Sequence, residues 1–385
     1  VKWALIGLLL LCGANPATQP AAIAAFHGGG AMLGVADPIG PPPMRQRWMF
    51  HTKQHEPTTG PAATQPDRDG PAGIEGAPTI FGNTVYVADA SGALSALDLE
   101  TGKPRWVYRA EEGFSTSPLV MDGRIFIGDL GGIFHAVSAA DGKKIWTFDA
   151  ENSIHSSANA VGANVVFGTD GADIFCLAAA DGKPIWNAKA GDRINGAPAV
   201  SDGTVFVSGC DSQLRGIDAA TGKERFASDL PALAPGSPAV LHDRVIIGTD
   251  EGHIVCMPIN GGKPIWDFDK IEDHSMVFGS PAVANGVAVV GARDRNVYCV
   301  NLADGARKWA FATRGEVDAS PTISAGRVFI ASKDKRLYVL DLASGNQLWE
   351  FNAARPITAS PTVGEGVVVI ADTAGTVRCL EPAGK

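Results

Sequence analysis

Several things this chain lacks narrow what it can be. It holds six cysteines in 385 residues, with no two adjacent and no CxxC pair, and no histidine pair stands at matching spacing. A zinc site of the usual kind therefore has no ligands to use. Positive charge is short: 32 Lys and Arg stand against 41 Asp and Glu, a net charge of −9. A nucleic-acid partner, which needs a basic stripe, is excluded on that balance. No glycine-rich phosphate loop opens a helix, and no segment has convincing helical periodicity. Gly-x-Ser-x-Gly is absent, so the strand–turn–helix elbow of esterases has no basis. The one long apolar run, from Trp3 to Leu11 behind Lys2, is too short to span a bilayer and fits a secretory signal.

What the chain has in abundance is repetition. One string recurs as ALDLETGKPRW (96–106), AVSAADGKKIW (136–146), CLAAADGKPIW (176–186) and GIDAATGKERF (216–226). It continues as CMPINGGKPIW (256–266), CVNLADGARKW (299–309) and VLDLASGNQLW (339–349). The closing aromatic returns every 40 residues, except for one step of 43 between Trp266 and Trp309. A period of that size built from short strands denotes a propeller or solenoid. Each period holds four runs of four to six residues separated by turn signals such as Asp122-Gly123 and Asp141-Gly142. Such runs form an antiparallel meander, which must stack on copies of itself to bury both faces.

The first-strand signature occurs eight times, from Ala77-Pro78 and Ser117-Pro118 to Ser360-Pro361. The eighth copy ends at Lys385 without a fourth strand, and Arg45–Phe50 can supply it. The expected fold is all-β: an eight-bladed β-propeller of four-stranded antiparallel blades, its ring closed by the N-terminal strand, which leaves no loose sheet edge. Trp48, Trp106, Trp146, Trp186, Phe226, Trp266, Trp309 and Trp349 are the expected docking residues between blades. The motif glycine suits a tight turn. The small residue ten before each aromatic, such as Ala96 or Cys176, is expected to make room for the neighbouring blade's indole.

This motif resembles the tryptophan-docking repeat of the pyrroloquinoline quinone (PQQ) dehydrogenase-like propellers. That superfamily includes quinoprotein alcohol dehydrogenases and the outer-membrane assembly factor BamB. The resemblance runs from Arg45 to Lys385, and in size and layout BamB is the nearer. It implies a non-catalytic, exported scaffold at the periplasm or outer-membrane periphery, monomeric outside its complex, with a protein partner in the envelope. The alternative it implies is a dehydrogenase using PQQ and calcium on an alcohol or sugar. The vicinal cysteine pair of those enzymes is missing here, and every Trp but Trp3 is committed to docking. No bound cofactor or metal is therefore expected. A third alternative is a propeller that binds a polysaccharide or other ligand outside the cytoplasm.

The domain layout expected is a signal peptide over 1–14, extending alternatively to 24, then a flexible Pro-rich leader over 15–44. One propeller domain over 45–385 follows. Cys12 could instead carry a lipid and tether the chain to a membrane, as the BamB resemblance implies. Cys176, Cys256, Cys299 and Cys379 fall on equivalent points of different blades. Stacked sheets lie about 10 Å apart, too far for a disulfide, so these are expected as buried thiols, with Cys210 nearer solvent.

Function on propellers resides in loops around the channel. Three residues before each first-strand signature proline, or before Ala158 in its place, stand Glu75, Ser115, His155, Asn195, Pro235, Phe278, Asp318 and Thr358, an expected ring at the channel mouth able to take a small polar ligand. His155 and Asp318 would be an acid–base pair but are four blades apart. The longer connection carrying Lys270, Glu272, Asp273, His274, Met276 and Phe278 is the candidate partner loop. A second, between His51 and Gly73, contains Asp67-Arg68-Asp69-Gly70, an incomplete calcium-loop fragment.

Overall fold

The computed structural model describes residues 23–52 and 72–384. Over these, eight antiparallel sheets follow one another round a ring. The first blade is built from Thr79–Phe81, Thr84–Ala88, Ala93–Asp98 and Pro104–Arg109, in that spatial order from the channel outward. Blades two to seven repeat the pattern, down to Thr322–Ser324 and Gln347–Asn352 of the seventh. In the eighth, Met44–His51 lies outermost against Thr376–Pro382, paired from Met44 with Pro382 to His51 with Thr376. Arg45 and Arg47 both hold Glu381, at 2.7 and 2.6 Å, across that closing pair. The inner hairpins turn through left-handed residues, as at Asp122 and Gly123.

Burial follows the position of a strand in its blade. The second strand of the first blade is buried throughout, whereas its outer strand, Pro104–Arg109, has none of its residues fully buried. The motif aromatic belongs to that outer strand and is what carries it onto the next blade. Indole N–H groups donate to carbonyls one blade on: Trp48 to Leu99 at 2.7 Å, Trp106 to Ala139 at 3.1 Å, and Trp186 to Ala219 at 3.0 Å. Trp146, Trp266 and Trp309 do the same to Ala179, Leu302 and Leu342. Phe226 fills the same place without a donor, its ring against Gly261.

The room for each indole comes from a different residue than the sequence suggests. The ring of Trp146 lies on Gly182 of the following blade, where an added Cβ would meet it at 2.7 Å. Trp48 on Gly102 and Trp106 on Gly142 repeat the contact. The small residue ten positions earlier is instead the cross-strand partner of its own blade's aromatic, as Ala96 is of Trp106 and Gly216 of Phe226. The motif glycine thus serves twice, as a left-handed turn (φ 74 at Gly182) and as a flat seat for the neighbour.

The leader expected over 15–44 also departs from expectation in its described part. Residues 24–36 do not trail from the ring; they enter the channel and plug it. Ile23 and Ala24 pair with Met121 and Val120 on the inner edge of blade two. Asn159 of blade three then grips Gly30, donating from Nδ2 to its carbonyl and accepting its N–H at Oδ1. The carbonyls of Gly30, Ala31, Leu33 and Gly34 accept in turn from the N–H groups of Val200, Val240, Val283 and Ile323, on blades four to seven. Met32 is buried at the tip. Arg327 then holds the carbonyls of Ile39 and Gly40 as the chain leaves for its closing strand. The inner strand edges would otherwise face the channel unpaired, so the plug satisfies backbone donors that a propeller usually leaves to water. The signal peptide, Cys12 and most of the His51–Gly73 connection lie outside the described residues.

Interblade docking yields a direct test. Trp186→Ala should cost about 3–5 kcal/mol by leaving a cavity, and Trp186→Phe only about 1 kcal/mol, for the lost hydrogen bond. Gly182→Ala should be destabilising as well, because its Cβ meets Trp146. Denaturant unfolding of the three variants reads these differences.

Candidate functional site

Blades meet at the channel through a belt of serines. Ser117 accepts the N–H of Ala77 from the preceding blade at 2.8 Å, Ser157 that of Ser117 at 2.9 Å, and Ser237 that of Ala197 at 2.8 Å. Ser280, Ser320 and Ser360 continue it. The belt fixes the start of the inner strands and with it the residues three positions before each proline. Glu75, Ser115, His155, Asn195, Pro235, Phe278, Asp318 and Thr358 all line one cup of about 350 Å³ at the end of the channel where blade connects to blade. Phe26 of the plug lines the same cup, which is therefore blind. Asp170 and Arg193 also line it, two residues that position counting alone did not find.

Within the cup the polar groups are arranged in two sets. Ser115 Oγ lies 3.1 Å from His155 Nδ1, and His155 Nε2 lies 3.6 Å from Asp170 Oδ2. Across the channel, Asp318 accepts from Arg293 at 2.7 and 3.0 Å and from Lys333 at 2.7 Å. Lys333 also holds Glu316 at 2.7 Å. Burial opposes ionisation of Asp318, but the hydrogen bonds and charges of Arg293 and Lys333 outweigh it and hold its pKa below the ordinary value. His155 and Asp318 thus each have other partners and form no acid–base pair. Asp170 Oδ1, Asn195 Oδ1 and Thr358 Oγ1 sit in the wall without a hydrogen-bond partner in the protein.

The candidate partner loop borders this cup. Ile271 and Val277 are buried and anchor it, while Lys270 stands exposed before them and Glu272, Asp273 and His274 stand exposed on a single 3₁₀ turn. Asp273 and His274 both adopt left-handed φ, at 54 and 48, uncommon for such residues. Met276 is half-buried and its carbonyl accepts from Arg293 N–H. Phe278, 42% exposed, lies under the Arg293 guanidinium at 5.2 Å. The two apolar anchors escaped the sequence reading, although their spacing round the polar residues carried the signal.

Titratable clusters elsewhere are structural. Asp129 and His135 of blade two form a chain with Tyr108 from the outer strand of blade one. The same turn aspartate is held by Tyr338 in blade seven and Arg378 in blade eight, as Asp334 and Asp372. A third-strand side chain tying down the turn between second and third strands is part of the repeat.

With the ring and cup in place, the comparisons with known proteins fall into line. The family model described as outer membrane protein assembly factor BamB matches residues 45–161, 131–270 and 252–385. The chain belongs to this family. No curated protein sequence matches it significantly. Among solved structures, BamB from Moraxella catarrhalis is 18% identical with a TM-score of 0.57, over 88% of this chain and 99% of that one. Quinohemoprotein alcohol dehydrogenase from Comamonas testosteroni is 12% identical with a TM-score of 0.76, over 94% and 80%. A europium-containing methanol dehydrogenase is 13% identical with a TM-score of 0.72, over 91% and 96%. At these identities the likenesses establish the propeller fold and nothing of its chemistry.

The cup does not suit PQQ. That quinone carries three carboxylates, and the lining presents Glu75, Asp170 and Asp318 with Arg193 as its one cation. No tryptophan lines it. Among the described residues, no group of three or more His, Cys, Asp and Glu could hold a metal ion.

Asp318→Asn should lower stability by about 1–2 kcal/mol near neutral pH, the figure tempered by the partial exposure of Arg293 and Lys333. Because the folded pKa of Asp318 is depressed, its contribution is present above its unfolded value. It is lost as pH falls below about 4, so the variant should show a shallower acid decline in denaturant midpoints. Thiol titration gives a second test. Burial pushes Cys176, Cys299 and Cys379 up to about 12 and Cys256 to about 11. All five thiols in the described residues are free. Native protein at about pH 8 should therefore expose Cys210 to an aromatic disulfide reagent, and the four buried thiols only after unfolding.

Proposed function

We propose that this propeller is a non-catalytic, exported scaffold of the outer membrane protein assembly class. It docks a protein partner of the envelope at its mouth face through the Lys270–Phe278 loop. The observation that carries this is the build of the loop: two buried anchors hold exposed charged residues and a half-exposed aromatic at the rim. Exposed aromatics beside charge on a rigid support are what protein interfaces use for anchoring. Family membership supports the same role, since the matching model is that of an outer membrane protein assembly factor. No helix among the described residues is long and apolar enough to cross a membrane. A quinoprotein dehydrogenase draws less support, because the cup lining is acidic and lacks an aromatic floor wide enough for a fused-ring quinone.

The test is photo-crosslinking in the intact envelope from a reactive residue placed at Asp273, with Asn83 at the opposite end of the ring as control. Capture of a barrel-assembly component from position 273 and not from 83 is the expected result. Equal capture from both positions, or capture of no protein from either, would overturn it.

A further inference from the structure

The mouth cup has a composition and a geometry that a protein-docking face does not need. Its polar groups arrive from different blades and converge on one axis: Ser115 from the second, His155 and Asp170 from the third, Asn195 from the fourth, Thr358 from the eighth. Oxygen atoms of three of them are buried in its wall without a partner in the protein, a costly state that a small shift of the wall toward a polar ligand relieves. The base is Phe26, set there by the plug, and Phe278 stands on the rim.

Charge selects the class of ligand. Asp318 is neutralised by Arg293 and Lys333, and Asp170 lies beside His155 and in the field of Arg193. No cationic cluster is left over for a phosphate or carboxylate. What remains is a circle of hydroxyl, amide and carboxylate groups over an apolar base. Such a circle complements a molecule with hydroxyls radiating from its edge and a C–H face for the aromatic ring. A pyranose has that form, and a cavity of about 350 Å³ lies at the small end of ligand pockets.

We propose that the mouth cup binds a neutral saccharide of one or two rings, hydrogen-bonded through Asp170, Asn195, Ser115 and Thr358 and seated on Phe26. The residues named as holding the sugar lie outside the partner loop, so either proposal can fail alone.

The experiment is calorimetric titration of the full chain with glucose, galactose, N-acetylglucosamine, maltose and cellobiose. Saturable binding of at least one sugar is expected. Asn195→Ala and Asp170→Asn should each weaken it about tenfold, the loss of one hydrogen bond. Glu365→Gln, in the separate cavity at the opposite end of the plug, should leave it unchanged. Unfolding curves for each variant separate lost binding from lost fold. No saturable binding at millimolar sugar, or binding unaffected by both cup variants, would overturn the proposal.

Discussion

Everything in this molecule depends on a flat indole resting on a residue with no side chain. A four-stranded blade has two faces to bury and no means of burying both alone. The motif tryptophan reaches from the outer strand of one blade onto the glycine of the next, with its N–H on a backbone carbonyl. The contact is heterologous, head to tail, so repetition at a fixed angle must either run on or close. Here it closes, because the eighth blade borrows its outer strand from the other end of the chain. Phe226 shows the tolerance of the system: its seat lacks the hydrogen bond, and the ring still packs.

The inner rim is governed by a second set of links. Hydroxyls of the Ser-Pro serines accept backbone N–H groups from the preceding blade, and the plug takes up donors on blades four to seven. Outer indoles and inner serines together fix each blade at both radii. A rigid mouth follows, on which side chains from different blades can be held in register without any loop of great length.

The fold was legible because its pattern is written many times over, and the strand count and composite last blade both follow from that repetition. Which blade an indole reaches was not legible, since spacing within a repeat says nothing about the neighbour; hence Ala96, the cross-strand partner of its own blade's Trp106, was assigned the seat for a neighbour's indole that belongs to Gly102. The plug was hidden for a different reason. Its partners are backbone amides on separate strands, and backbone pairing along a spiral imposes no side-chain period. Gly28-Gly29-Gly30 and Pro41-Pro42-Pro43 then look like a linker. The ring residues of the cup could be counted out from equivalent positions. Asp170 and Arg193 stand at other offsets of the repeat, Asp170 at the turn position that also carries Arg293 and Lys333.

The composite eighth blade imposes an order of events. Most strand pairs join neighbours in sequence and can form as soon as both have been synthesised, but Met44–His51 must wait for Thr376–Pro382. A chain made from its N-terminus therefore carries an unsatisfied edge strand through the whole of its synthesis, the condition under which strands pair with the wrong chain. The arginines at 45 and 47, facing Glu381 in the finished ring, put charge on that waiting edge and discourage premature pairing until its own partner arrives.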